Sequence, residues 1–323
     1  MTKAIRFSSC GGPEVLELVD VEVGAPAEGQ VRLRHAAIGV NFIDTYHRSG
    51  LYPLPLPSGI GLEAAGIVEA VGPGVADLAA GDRVAYVSRP PAAYCDARLA
   101  PAEHLVKLPD GIDDETAAAM MLKGLTAWYL LRRSYRVQAG DSVLLYAAAG
   151  GVGLIAAQWA RHLGARVIGV VSTPEKAALA KAHGCADIIM ADEDIAARTR
   201  ELTGGEGVAA AYDSVGRDTF KASLDALRPH GVMVTFGNAS GPVEPFSPLE
   251  LAGRGSLYVT RPTLFDFINT RKALLEACAE LFAVVEGGQV SIEVKQRYAL
   301  ADAARAHRDL EARRTTGSTI LLP

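Results

Sequence analysis

The sequence predicts an α/β protein in which a β-rich segment precedes a doubly wound parallel sheet. From Asp141 onward, short apolar runs alternate with helical stretches, which is typical of a parallel sheet covered by helices on both faces. Before Asp114, short β-type runs lie between closely spaced glycines and prolines. The chain has 323 residues, which is long for a single core and suits two domains.

The first third of the chain is predicted to form an irregular β domain. Its expected strands cover residues 4–7, 16–21, 31–38, 66–71, 83–87 and 104–107. Asp113 and Asp114 are suitable caps for an alanine-rich helix over 115–121, and a separate helix is expected over 125–132.

The parallel sheet and the C-terminal segment follow. The expected strands of the sheet cover 143–146, 167–171, 187–190, 209–213 and 232–236, with helices such as 174–182 and 195–202 between them. Residues 257–259 are expected to add a last strand at the sheet edge. A helix over 267–286, a strand over 293–298, a helix over 300–313 and a strand over 318–322 are expected to return the chain to the first domain.

The segment 142–153 reads SVLLYAAAGGVG and carries the most informative motif of the chain. A buried strand, a glycine-rich turn and a helix over 154–163 follow one another, which is the context of a dinucleotide-binding Rossmann fold. Ala148 stands where the first glycine of that motif is usual, Gly150 allows backbone N–H groups to reach a pyrophosphate, and Gly153 allows close packing of helix on strand. The alternative is a turn that binds no ligand.

The second strand of this sheet ends in Ser172 and Thr173, where NAD-binding proteins usually carry an acidic residue. Thr173 suits a helix N-cap, Pro174 suits the first helical position, and Lys176 lies one turn further. Hydroxyls, N-terminal amides and a lysine together suit a 2′-phosphate, so the sequence predicts NADPH rather than NADH. The alternative is that Thr173 is only a cap and Lys176 only a solvated charge.

Composition argues against several classes of protein. A hydrophobic share of 49% is that of a globular chain, and a net charge of −5 argues against a dedicated nucleic-acid binder. The four cysteines are far apart and predict neither a zinc site nor disulfides, which favours a reducing, cytoplasmic location. No membrane partner is expected, because the uncharged run 142–160 contains a glycine cluster and the N-terminus lacks a signal-peptide pattern.

Taken together and in order, several strings resemble the zinc-independent quinone oxidoreductases, the zeta-crystallin-like members of the medium-chain dehydrogenase/reductase superfamily. The resemblance runs essentially from end to end. The strings are GGPEVL at 11–16, GVNFIDTYHRSGLYP at 39–53, GLEAAGIVEAVGPGV at 61–75, AGDRVAY at 80–86, AAAGGVG at 147–153, YDSVG at 212–216 and the closing RTTGSTILLP.

The resemblance implies a fold and an assembly. It implies a GroES-like substrate domain over 1–124 and 264–323, and a Rossmann NADPH-binding domain over 125–263, with the nicotinamide in the cleft between them. It also implies a homodimer that pairs sheet edges, for which the segment from Gly255 to Arg261 is the expected edge.

The resemblance further implies hydride transfer from NADPH to a small-molecule quinone without a metal. Zinc dehydrogenases of the superfamily place a Cys near Asn41 and a His-Glu pair near Leu62 and Glu63, and this chain has Asn and Leu there. A quinone accepts hydride readily, so the protein has mainly to orient it and to stabilise the developing oxyanion. Glu63 is then expected to be a structural remnant.

Asn41, Tyr46 and Tyr52 are the expected catalytic residues, with Tyr52 as a phenol donor to the quinone oxygen. The family pattern places Asn41 and the loop of Phe42, Ile43, Asp44 and Thr45 beside the nicotinamide. Three structural alternatives stay open: Tyr46 as a buried helix-face aromatic, Asn41 as a partner of loop backbone groups, and Asp44 as a residue that maintains the loop geometry.

Further coenzyme contacts are implied by the resemblance. Tyr129 would lie near the nicotinamide, and Gly151 and Val152 would meet the pyrophosphate. The other implied contacts are Ser214, Phe236, Gly237 and Asn238 at strand ends, and Arg261 and Arg313. Close relatives have a Tyr near Ala191, and its absence here weakens the expectation for the adenosine end.

Two other functions are compatible with the sequence. The same scaffold reduces activated C=C bonds in enals, enones or enoyl thioesters, because these acceptors also take hydride and place charge on an oxygen. A nucleotide-regulated RNA-binding or crystallin-type role is the third hypothesis, and the acidic charge balance gives it no support.

Overall fold

The computed structural model describes all residues from Met1 to Pro323. Its sixteen strands are β1 (Thr2–Phe7), β2 (Glu17–Val21), β3 (Gln30–Val40), β4 (Ser58–Gly59), β5 (Glu63–Val71), β6 (Arg83–Val87), β7 (Ala97–Pro101), β8 (Leu105–Lys107), β9 (Ser142–Tyr146), β10 (Arg166–Val171), β11 (Cys185–Met190), β12 (Val208–Asp213), β13 (Leu227–Thr235), β14 (Tyr258–Thr260), β15 (Val294–Ala299) and β16 (Ser318–Leu322).

The ten α helices are α1 (Phe42–Ser49), α2 (Asp114–Tyr129), α3 (Gly151–His162), α4 (Pro174–Ala182), α5 (Ile195–Leu202), α6 (Phe220–Asp225), α7 (Leu249–Gly253), α8 (Leu264–Phe267), α9 (Arg271–Glu286) and α10 (Ala303–Glu311). A bilayer-spanning helix needs more length and hydropathy than any of these provides.

The chain divides into two units. The first contains Met1–Lys123, Thr270–Glu286 and Ile292–Pro323, and the second contains Gly124–Asn269 and Gly287–Ser291. The functional domain boundaries implied by the resemblance, 1–124 with 264–323 against 125–263, remain a prediction.

The first unit is built around the long strand β3. Its main sheet has the order β15-β16-β3-β5-β6-β8, and β7 also pairs with β3. The C-terminal strand β16 pairs antiparallel with the end of β3, with Ile320 opposite Gly39. Every residue from Ala37 to Val40 is buried, which anchors the point where the chain leaves the sheet and enters α1. A smaller sheet has the order β2-β1-β4.

The second unit contains a six-stranded sheet of order β11-β10-β9-β12-β13-β14, in which all pairings are parallel. The chain starts at β9, runs outward through β10 to β11, and then crosses to β12 on the other side of β9. This is the doubly wound arrangement, and it creates a topological switch point beside β9. The predicted α/β class and parallel sheet are therefore confirmed.

Some predicted elements coincide with the structure and others need correction. The strands over 83–87 and 318–322 and the helices over 174–182 and 195–202 have the predicted bounds. The separate helix over 125–132 is wrong, because α2 continues through Gly124 to Tyr129 and ends in a π-helical turn at Leu130–Ser134. A glycine inside a helix lowers the stability of that helix by about 1 kcal/mol relative to alanine. The burial of the residues beside Gly124 outweighs this cost here.

The expected loop over 42–45 is also wrong, since these residues form the first turn of α1. Asn41 is its N-cap, and the Asp44 side chain accepts the Asn41 backbone N–H at 2.9 Å. Gly50 ends the helix in the left-handed region with φ 84°.

Three further corrections concern other elements. The predicted helix over 267–286 is divided into α8 and α9, and the predicted helix over 300–313 begins as a 3₁₀ turn. The strands β4 and β7 were not predicted.

Candidate functional site

Most of the predicted coenzyme residues of the second unit lie at one edge of its sheet. Five loops carry them, and each loop follows the carboxyl end of a strand. Ala148 to Gly153 follow β9, Ser172 and Thr173 follow β10, Ser214 follows β12, Phe236 to Asn238 follow β13, and Arg261 follows β14. In open parallel sheets, ligands bind at this edge beside the switch point.

The glycine-rich turn after β9 has the backbone that a pyrophosphate site needs. Gly150 is the N-cap of α3, so the N–H groups of Gly151, Val152 and Gly153 lie in the first helical turn, where no intrahelical acceptor exists. A Cβ on Gly153 would meet the Ala147 carbonyl oxygen and lie 2.8 Å from the Ala148 carbonyl carbon. The turn therefore requires glycine at 153, and its amides suit an anionic group.

The turn after β10 brings three polar side chains together. Thr173 caps α4 by accepting the Lys176 backbone N–H at 3.3 Å, and Pro174 takes the first helical position. The Lys176 ammonium donates to the Ser172 hydroxyl at 3.5 Å. Glu175 is exposed beside them, and a hydrogen bond from its own backbone N–H is the main cause that lowers its carboxyl pKa. The Ser172 hydroxyl and the Lys176 ammonium can donate to a phosphate here, whereas the Thr173 hydroxyl is hydrogen-bonded to the Glu175 carboxylate.

The loops after β12 and β13 are joined by backbone contact. A Cβ on Gly237 would meet the Ser214 carbonyl oxygen and lie 2.9 Å from the Ser214 Cα, so only glycine allows this approach. Asp213 organises the turn: its Oδ1 accepts the Val215 and Gly216 N–H groups at 2.7 and 3.0 Å. Burial raises the Asp213 pKa despite these hydrogen bonds. This role of Asp213 was not predicted from the sequence, although an Asp before a glycine turn is a usable signal.

Tyr129 and Arg313 do not follow strands of this sheet, whereas Arg261, which follows β14, has a contact with its chain neighbour. Tyr129 is buried and its ring is stacked on Phe267, with centroids 5.0 Å apart. Arg261 donates to the Pro262 carbonyl oxygen at 3.1 Å. Arg313 belongs to the first unit, where it is exposed just beyond α10 with φ 59°.

In the first unit, Asn41 is held by a buried acid. Its amide nitrogen donates to Glu63 Oε1 at 2.7 Å, an orientation that follows because a carboxylate oxygen can only accept. The Lys123 ammonium lies 3.1 Å from the same oxygen, and the Leu122 N–H donates to Glu63 Oε2 at 2.6 Å. Glu63 is thus a fully buried charge with three donors. Lys123 was not foreseen, because nothing in the sequence links two residues 60 positions apart.

The aromatic residues of this region form a small cluster. The Tyr46 ring contacts Phe42 and Tyr52, with centroid distances of 5.5 and 5.1 Å. The Tyr52 backbone N–H donates to the Tyr46 carbonyl oxygen at 3.0 Å, which attaches the segment after α1 to the helix. Tyr46 is 8% exposed, and Tyr52 is half-buried. The structure therefore brings the three expected catalytic residues Asn41, Tyr46 and Tyr52 to α1 and its flanks, while Ile43 and Thr45 lie within the helix.

No three His, Cys, Asp or Glu side chains are grouped in the geometry of a metal site. The donors on Glu63 already occupy both of its oxygens.

Models of two known domain families match successive parts of the chain. A model of the alcohol dehydrogenase GroES-like domain matches residues 27–137, and one of the zinc-binding dehydrogenases matches residues 151–280. The chain is 55% identical to a quinone oxidoreductase of Pseudomonas aeruginosa over 100% of both chains, and 48% identical to a 2-haloacrylate reductase of Burkholderia over 100% of this chain and 99% of that one.

Among solved structures, the quinone oxidoreductase of Escherichia coli complexed with NADPH is similar over 100% of both chains, with 50% identity and a TM-score of 0.97. The GroES-like and Rossmann-like fold is thereby confirmed. The chain belongs to the quinone oxidoreductase family of the medium-chain dehydrogenase/reductase superfamily.

Proposed function

We propose that this chain is an oxidoreductase that reduces quinones with NADPH and needs no metal. The observation that carries the proposal is its full-length similarity, at 50–55% identity, to proteins named quinone oxidoreductases, one of them complexed with NADPH. The loops at the carboxyl edge of the parallel sheet have the backbone and the donors that such a coenzyme requires.

The coenzyme is proposed to bind along that edge, where it supplies the hydride for the reaction. The first-turn amides of α3, from Gly151 to Gly153, neutralise the pyrophosphate, and Ser172, Thr173 and Lys176 hold the 2′-phosphate. The remaining proposed contacts are Asn41, Phe42, Ile43, Asp44, Thr45, Tyr129, Ala148, Gly150, Ser214, Phe236, Gly237, Asn238, Arg261 and Arg313.

The chemistry on the substrate side consists of stabilising an oxygen that gains negative charge. Tyr52 is proposed as the principal donor, since it is half-buried and its backbone is attached to α1. Tyr46 packs beneath it and is proposed as a second phenol. Asn41 has one amide hydrogen directed at Glu63, and the other is proposed to reach the ligand.

The metal-free character rests on the donor set. The Glu63 carboxylate could otherwise bind a metal ion, but its charge is already neutralised by the Lys123 ammonium. Asn41 offers only a weak neutral ligand. A quinone does not require Lewis-acid activation in the way that alkoxide formation does.

A second candidate function has specific support. The 48% identity to a 2-haloacrylate reductase favours reduction of activated C=C bonds on the same scaffold. Both acceptors receive hydride and place charge on an oxygen, so Tyr52 and Asn41 would have the same task with either substrate.

A homodimer and a cytoplasmic location complete the proposal. The edge strand β14 lies within the segment from Gly255 to Arg261. Its Tyr258 side chain is 61% exposed, which suits an edge that pairs with the same edge of a second copy. Leu249 of α7, at 80% exposure, also suits a covered surface. The four cysteines are free thiols, which favours a reducing compartment.

Steady-state oxidation of NADPH tests the proposal directly. We expect turnover with benzoquinone and phenanthrenequinone, slower turnover with NADH, and rates that EDTA does not change. Turnover with 2-chloroacrylate or an enone alone would move the assignment to C=C reduction. An activity lost in EDTA and restored by zinc would contradict the metal-free mechanism.

A further inference from the structure

Four buried polar side chains form a row that connects α10 with α1. The Arg48 Nη1 atom lies 3.1 Å from His307 Nδ1, His307 Nε2 lies 3.1 Å from the Tyr94 hydroxyl, and that hydroxyl lies 3.0 Å from Asp44 Oδ2. All four residues are at most 2% exposed. The contacts join positions up to 259 residues apart, and the proposed hydride transfer uses neither Tyr94 nor His307.

The chemistry of these groups sets a single direction for the row. A guanidinium can only donate, so His307 Nδ1 must present a lone pair to Arg48. Burial, assisted by the Arg48 charge, lowers the pKa of His307 to about 3, so the ring is neutral and carries its hydrogen on Nε2. His307 therefore donates to the Tyr94 oxygen, and the Tyr94 hydroxyl donates to Asp44. The three hydrogen bonds within the row therefore all point toward the Asp44 carboxylate.

Asp44 is the residue at which this row meets α1. Its Oδ2 accepts both the Tyr94 hydroxyl and the Asn41 backbone N–H, whereas its buried Oδ1 has no hydrogen-bond partner. Burial is the largest influence and raises the pKa of Asp44 to about 7. The charge of Glu63 on β5 acts in the same direction, while Lys123 on α2 and the two hydrogen bonds act against it.

The outer end of the row is accessible. Arg48 forms a two-point ion pair with Glu311 at 2.7 and 3.0 Å, and the Glu311 side chain is 36% exposed. A surface carboxylate of α10 thus helps to determine the position of the Arg48 guanidinium. The hydrogen bond that Arg48 donates to His307 depends on that position.

We propose that Asp44 is a positioning residue whose ionised carboxylate keeps Asn41 and the first turn of α1 in their active arrangement, and that α10 sustains this state through His307 and Tyr94. This inference rests on the proposed quinone reduction. Protonation would place a hydrogen on Oδ1, which has no acceptor, and would weaken the hydrogen bond that holds the Asn41 backbone. The working form is the carboxylate, so activity increases as the pH rises through the Asp44 pKa.

The test compares pH profiles of kcat/KM for benzoquinone between wild type and three variants. Wild type shows an inflection near neutral pH, because burial raises the Asp44 pKa to about 7. Tyr94→Phe shifts this inflection upward by about one pH unit, since the ionised form loses a donor. His307→Leu gives a similar shift. His307→Gln restores the wild-type profile, because an amide can accept from Arg48 and donate to Tyr94.

The matched control is Tyr298→Phe, which removes a hydroxyl that donates to an Asp of α10 at 2.9 Å, away from this row. It leaves the inflection where it is. A purely structural role for Tyr94 would lower activity equally at all pH values, and that result would overturn the proposal.

Infrared difference spectroscopy during a pH titration of the protein measures the protonation of the Asp44 carboxyl without any turnover. A protonated carboxyl band that disappears near neutral pH, is absent in Asp44→Asn, and persists to higher pH in Tyr94→Phe is the expected result. A band unaffected by Tyr94→Phe would overturn the inference whether or not the variant Asp44→Asn folds. Absence of quinone turnover in wild type would instead contradict the proposed function, and the infrared titration would still decide the role of the row.

Discussion

Lys176 is the side chain on which the preference for NADPH is expected to depend most. Its ammonium lies beside the Ser172 hydroxyl at the N-terminus of α4, and its backbone N–H is bound by Thr173. Thr173 is needed as a cap with or without a ligand, whereas the ammonium is the full positive charge in this group of donors.

Lys176→Ala is predicted to raise the KM for NADPH by about tenfold, the loss typical of one charge-assisted hydrogen bond. The KM for NADH should hardly change, because NADH has no 2′-phosphate. Lys181→Ala, on the same helix, is the control and should behave as wild type. Equal effects of Lys176→Ala on both coenzymes would show that Lys176 does not bind the 2′-phosphate.

Tyr52 is the corresponding residue on the substrate side. Tyr52→Phe keeps the ring that packs on Tyr46 and removes only the proposed donor. We expect kcat/KM for benzoquinone to fall by about tenfold to a hundredfold, with an unchanged KM for NADPH. Full turnover of the variant across several quinones would remove the phenol from the mechanism.

The glycine-rich turn and α3 act as one element, and Gly153 determines how closely they approach. A methyl group at 153 would meet the Ala147 carbonyl oxygen and the backbone of Ala148. These are backbone atoms, so relief requires the turn itself to move, and the amides of α3 would move with it.

Gly153→Ala is therefore predicted to destabilise the protein by about 1–3 kcal/mol and to weaken NADPH binding. Gly253→Ala in α7 is the matched control, because a Cβ there meets nothing within 4 Å. Urea unfolding and fluorescence titration with NADPH would measure the two effects. Equal stability and affinity in both variants would contradict the close approach.

The elements that local pattern predicts well are those whose signals lie within a few residues. Thr173, Pro174 and the parallel strands on both sides define α4 from sequence alone, and its bounds agree with the structure. Asn41, Asp44 and Gly50 carry comparable cap signals for α1, yet the chain from 42 to 45 was expected to be a loop. An eight-residue helix offers too few turns for its apolar period to be recognised.

The parts that could not be predicted depend on contacts distant in sequence. By contrast, the sheet edge at which the proposed coenzyme residues lie could be predicted, because it follows from the strand order that alternating patterns indicate. The Glu63–Lys123 pair and the contact of Tyr94 with His307 join residues 60 and 213 positions apart. Only the folded first unit brings such side chains together, and a single sequence carries no signal for either pair.

The whole protein contains buried histidines that connect its stability with pH. Burial lowers the pKa of His35 and His47 to about 4 and that of His307 to about 3. Below the ordinary value of 6.5, the unfolded chain binds protons that the folded chain does not, so stability decreases as the pH falls. Asp44 and Asp213, whose pKa values are raised by burial, act in the opposite direction and offset part of this effect.

The free energy of unfolding is thus predicted to fall by about 1–2 kcal/mol between roughly pH 6 and pH 5. Urea unfolding at the two pH values measures it. His307→Gln should reduce the fall by about the contribution of one proton, about 1.4 kcal/mol, while His162→Gln, at an exposed position, should not. A free energy that is constant or rises over this range would mean that these rings are not buried as neutral groups.

The whole molecule is proposed to transfer hydride directly from NADPH to a quinone without a metal. The most direct test is single-turnover reduction of benzoquinone in EDTA-treated enzyme, with NADPH carrying hydrogen or deuterium at the transferable position. We predict a burst of quinone reduction that is slower with deuterium and unchanged by added zinc. Reduction that is insensitive to deuterium, or that appears only when zinc is restored, would rule out direct metal-free hydride transfer.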